Sequence, residues 1–146
     1  MRYHLCDAEQ DVTGISIELA IVSEPFAESV PYELTLHAAG SPIAHVPAGA
    51  LTPSELFALG HALLDAAADG FGHFVPADEV FGLDLSPPSV PRAIDEVAIA
   101  AWVDAGKARA IPATRSGVGV QLIVGTHALA TVAEAVCDEA ARVLAA

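Results

Sequence analysis

The chain has 146 residues, 53% of them hydrophobic and 17% charged, with a mean hydropathy of +0.50. That excludes an intrinsically disordered polypeptide and suits one domain with a sizeable core. Nineteen acidic residues against six basic ones give a formal net charge of -13, so a basic footprint for nucleic-acid phosphates is excluded.

Two cysteines, Cys6 and Cys137, lie near opposite ends of the chain. They make no disulfide framework, and no C-x-x-C spacing suggests a zinc ribbon. The opening residues hold no apolar core of a secretory signal. Two uncharged stretches, 35–54 and 116–133, are broken by Pro42, Pro47 and Pro53 or by Gly117, Gly119 and Gly125, so neither suits a lipid-facing helix. A reduced, cytoplasmic setting is expected. Charge is uneven: residues 1–91 hold thirteen carboxylates and one base, Arg2.

In chain order, 12–22 alternates with Ile15, Ile17, Leu19 and Ile21 on one side, the period of a half-buried strand. Residues 32–38 alternate again, Gly40-Ser41-Pro42 reads as a turn, and 43–46 as a return strand. Thr52-Pro53-Ser54-Glu55 then carries a helix cap, a proline suited to the first turn and a capping-box glutamate. The helix it opens puts Leu56, Leu59, Leu63, Leu64 and Ala67 on one face and ends at Gly70 and Gly72. Residues 76–91 form a Pro-rich connector, too apolar for a free linker and expected to lie across the domain. Beyond it, 97–103 reads as a strand, 104–106 as a turn, 107–114 as a return strand and 118–124 as a third. A helix from about residue 126 to the end turns Leu129, Val132, Val136, Ala140, Val143 and Leu144 inward and sets Asp138 against Arg142.

The expected architecture is therefore an α+β two-layer sandwich. An antiparallel sheet is covered by two amphipathic helices, in the order β-β-β-α twice. It forms one domain over 1–146, with halves 1–75 and 92–146.

Three constellations bear on chemistry. With a three-residue loop at 40–42, His37 would oppose His45 on the outer sheet face. Two imidazoles at that spacing, with Glu33 or Glu18, could hold zinc or another divalent metal. The plainer reading is a solvated sheet face, and a slip of one residue separates the pair. His61, Asp65, Asp69 and His73 recur every four residues, a stripe expected on any surface helix. Asp7, Glu9, Asp11 and Glu18 have calcium-loop spacing, but Val12 stands where glycine is needed. No G-x-S-x-G, dinucleotide fingerprint or phosphate loop is present. Trp102 belongs either to the core or to an exposed apolar patch with Ala98, Ala100 and Ala110, facing Arg109 or Ala108 across a hairpin.

These features suggest a non-enzymatic module that binds another, basic protein through Glu18, Glu33 and Trp102 without a cofactor, and that forms a homodimer. Small acidic chaperones, immunity proteins and inhibitors are the analogy. The alternative is a small metal-dependent enzyme or metal-binding protein using His37, His45 and a glutamate.

Overall fold

A computed structural model describes residues 1–89, 95–104 and 117–144. Strand β1 (Arg2–Cys6) leads through a single helical turn, α1 (Gln10–Thr13), to β2 (Ser16–Ile21). Strands β3 (Val30–Ala38) and β4 (Ser41–Leu51) follow, then helix α2 (Pro53–Asp69). The second half repeats the plan with β5 (Gly72–Phe74), β6 (Phe81–Ser86), β7 (Glu96–Asp104), β8 (Gly117–Gly125) and helix α3 (Thr126–Leu144). Each half is an antiparallel four-stranded meander, ordered β1-β2-β3-β4 and β5-β6-β7-β8.

The class is α+β as expected, but each half holds four strands rather than three. The strand missing from the first half is β1, whose alternation spans only five residues. In the second half, the supposed connector supplies β6, paired with β5 on one side and β7 on the other. The expected return strand at 107–114 lies outside the described residues. Strand β7 is already flanked by β6 and β8, so no strand stands between β7 and β8.

Alternation buries one face of each sheet. Ile17, Leu19, Leu34 and Leu36 from the first sheet meet Phe81, Leu83, Ile99 and Leu122 from the second in one core. Leu59 and Leu63 of α2 and Leu129 and Val136 of α3 fill the same core. Tyr32 and Phe81 touch edge to face at 5.4 Å between ring centres, joining the sheets. Gly49 makes room for that tyrosine, because a Cβ there would sit 2.1 Å from the ring. A void of about 30 Å³ remains, lined by apolar side chains including Leu5, Leu34, Leu59 and Phe81. It is too small and too apolar to be a ligand site.

The α2 cap forms as its sequence requires. Glu55 N–H donates to Thr52 Oγ1 (3.1 Å), and Thr52 N–H donates to Glu55 Oε1 (2.9 Å). Gly70 ends the helix in the left-handed conformation, φ 87°. In α3, Arg142 lies 3.9 Å from Glu139 rather than on Asp138. Glu139 is fully buried there, also 3.9 Å from the Met1 ammonium. None of the described helices is long and apolar enough to cross a membrane.

Candidate functional site

With one face of each sheet in the core, the outer faces carry the polar chemistry. On the first sheet, Arg2, His4, Glu18, Glu33, Thr35, His37 and His45 lie on this face. The turn between β3 and β4 uses two residues, Ala39 and Gly40, both with positive φ (52° and 76°), the conformation of a tight hairpin. Ala38 therefore pairs with Ser41, and a bulge follows between Leu36 and His37. His37 pairs with Pro42, and His45 pairs with Thr35. The expected opposition of the two histidines is lost because the loop is one residue shorter than its Gly-Ser-Pro sequence implied.

The structure does bring Glu33 and His45 together, with Nε2 2.9 Å from Oε1. Glu18 instead takes a hydrogen bond from the Arg2 guanidinium. That bond holds its carboxyl below the usual range, with further help from the charges of Arg2, His4 and His37. Cys6 lies 3.7 Å from the His4 ring, and burial pushes its thiol up. Among the described residues, no three histidine, cysteine, aspartate or glutamate side chains converge to hold a metal ion.

The outer face of the second sheet forms a groove of about 630 Å³. Its floor is Ala98 and Ala100 of β7 with Gln121 and Ile123 of β8. Small side chains on β7 make the floor deep. One wall is Asp84, Ser86 and the Pro87-Pro88-Ser89 turn; the other is Glu9, Thr13 and Ile15 around α1. Asp84 also sits 2.5 Å from His73 Nδ1 on the neighbouring strand. This separates His73 from His61, Asp65 and Asp69, which stay on α2.

Asp7 fixes the α1 wall. Its carboxylate accepts from Thr13 Oγ1 (3.1 Å), Glu9 N–H (3.3 Å) and Ile123 N–H (2.7 Å). The acid once matched to a calcium loop is thus spent on holding the turn to β8. Trp102 lies on the same outer face two residues beyond Ala100 along β7, outside the groove lining. It is half-buried on the outer face, opposite Gly82 and Gly119. A Cβ on Gly82 would sit 2.3 Å from the indole, so that glycine gives the ring its seat. The expected neighbours Ala108, Arg109 and Ala110 lie outside the described residues.

The sequence reading missed the groove. Its one visible trace was the alternation Phe81, Leu83, Leu85 against Asp84 and Ser86, inside a stretch read as a connector. Comparison with protein-family models, curated proteins and solved structures finds no match.

Proposed function

We propose that the protein is a binding module that takes a cationic segment of a partner protein into the groove on its second sheet. The observation that carries this reading is the composition of that groove. An apolar floor of Ala98, Ala100 and Ile123 lies between walls bearing Glu9 and Asp84. Apolar floors give contact area, while carboxylates at the margin select for lysine and arginine. The net charge of -13 adds long-range attraction for such a partner and speeds encounter. Trp102 lies two residues beyond Ala100 on the same face, outside the groove, where the aliphatic stem of a basic side chain extending past the floor can rest on its ring.

Glu18 and Glu33, singled out from sequence, lie on the other sheet and are held by Arg2 and His45. They contribute to the overall field rather than to the groove.

The test uses a synthetic peptide of alternating lysine and valine as probe. Trp102 is the only tryptophan, so its fluorescence reports binding on this sheet face. The expected result is saturable binding that weakens steeply with salt. Asp84→Asn should weaken it several-fold, and Asp65→Asn, on α2 away from the groove, should not. Absence of saturation, or equal losses in the two variants, would overturn the reading in favour of diffuse charge attraction.

A further inference from the structure

Each sheet edge offers unpaired backbone groups, and edges are normally blunted against pairing. Strand β4 carries Pro42 and Pro47, which lack an N–H. Strand β5 has only three residues. Strand β1 is short, and α3 lies against it, with Tyr3 Oη donating to the Ala135 carbonyl (3.3 Å). Strand β8 differs. It spans nine residues, Gly-Val-Gly-Val-Gln-Leu-Ile-Val-Gly, with no proline and no ionisable side chain.

Among the described residues, β8 has a strand partner on one side only. At Ile123 the other side is taken: its N–H donates to Asp7 Oδ1, and its carbonyl accepts from Ala8 N–H (2.8 Å). Backbone groups alternate in direction along a strand. Those of Gly117, Gly119 and Gln121 therefore point the same way as those of Ile123, and among the described residues no strand meets them.

We propose that Gly117–Gln121 pairs antiparallel with the same stretch of a second copy, about a twofold axis at Gly119. Three outward-facing residues centred on Gly119 are self-complementary. Gly119 meets Gly119 of the partner subunit, and Gly117 meets Gln121 of the partner subunit. Such an isologous contact closes as a dimer.

Local charge leaves this edge open to a second copy. A molecule of net charge -13 repels its own copy wherever carboxylates face each other, and β8 contributes none. Gly117 and Gly119 put no side chain on the outer face. On the inner face the half-buried Val118 gains cover from Val120 of the partner subunit. The Asp7 and Ala8 contacts at Ile123 end the ladder after five residues and so fix its register. The inference uses the edge of β8, shares only Gln121 with the groove of the cationic-partner reading, and is tested on the chain alone.

The experiment is sedimentation of the full chain from micromolar to submillimolar concentration. The mass should rise from 14.9 kDa towards twice that value. Gln121→Pro removes an outward N–H but leaves the ladder to β7 intact. It should weaken association about tenfold or more with an unchanged circular dichroism spectrum. A monomer at every concentration overturns the proposal, as does a folded Gln121→Pro variant that associates as tightly as the parent. If that variant does not fold, amide exchange of the parent chain decides. Gly119 and Gln121 amides should gain protection as concentration rises, and no gain overturns it.

Discussion

Asp7 Oδ1 accepts the Ile123 N–H at 2.7 Å, across 116 residues of chain. A turn in the first half thereby becomes the cap on an edge strand of the second. The same carboxylate holds Glu9 N–H and Thr13 Oγ1, so one buried side chain organises the α1 turn and docks it. Removing it leaves several donors without their acceptor. Asp7→Ala should therefore cost about 1–3 kcal/mol, the range for leaving buried donors unsatisfied. Urea unfolding measures it as a lower midpoint at unchanged slope. A midpoint equal to the parent's would mean that solvent replaces the carboxylate and that the halves are joined by their core alone.

Glu55 makes a comparable link at the start of α2. One oxygen closes the capping box on Thr52, and the other accepts the Ala77 N–H (2.7 Å) just before β6. Burial pushes its pKa up, but the backbone hydrogen bonds from Thr52 and Ala77 outweigh burial, and the group sits below its ordinary 4.5. A carboxyl with a lowered folded-state pKa contributes stability above its unfolded pKa and loses it as pH falls through the folded value. Glu55→Ala should thus cost about 1–2 kcal/mol at neutral pH, as lost caps do. That deficit should shrink as pH drops below about 4.5, the ordinary carboxyl range. Thermal melts of both proteins from pH 7 to pH 3 test this. A gap that stays constant over the range would assign the loss to packing rather than to the ionised carboxylate.

The readable parts of the fold are those governed by local physics. The α2 boundaries follow from Thr52, Pro53, Glu55 and Gly70, whose conformational needs are met within a few residues. The alternation of β2, β3, β7 and β8 was legible because each buries one face. Strand β6 was hidden because prolines on both sides of a short alternation look like a connector, while its status as an inner strand depends on β5 and β7. The His37–His45 pair failed for a subtler reason. Hairpin register depends on which residues accept positive φ, and Ala39 took that conformation beside Gly40. The groove left only the 81–86 alternation as a trace, because its second wall needs Asp7 of one half to meet Ile123 of the other. No local pattern encodes that contact.

The two helices cross where Gly60 meets Cys137, and this sets opposing effects against each other. On the helix scale, Gly60→Ala should gain about 1 kcal/mol. At this site, however, the new methyl would lie 2.8 Å from Cys137 Sγ, 3.1 Å from its backbone nitrogen and 3.3 Å from its Cα. The sulfur can rotate away, but the backbone can yield only if α3 moves, and α3 is anchored by the fully buried Leu129, Val136 and Ala140. Overpacking of this kind costs about 1–3 kcal/mol and should exceed the propensity gain. Gly60→Ala is therefore expected to lower the melting temperature. Cys137→Ala in the same background should recover only the sulfur's share, because the backbone contact persists. The half-buried thiol supplies a second readout. Burial pushes its pKa up, and Asp138, Asp65 and Glu134 push it further, so alkylation at pH 8 should be slow in the parent. It should quicken in Gly60→Ala as the helices part. A variant that is more stable than the parent, with its thiol equally slow, would show that the crossing has slack and that glycine is not required there.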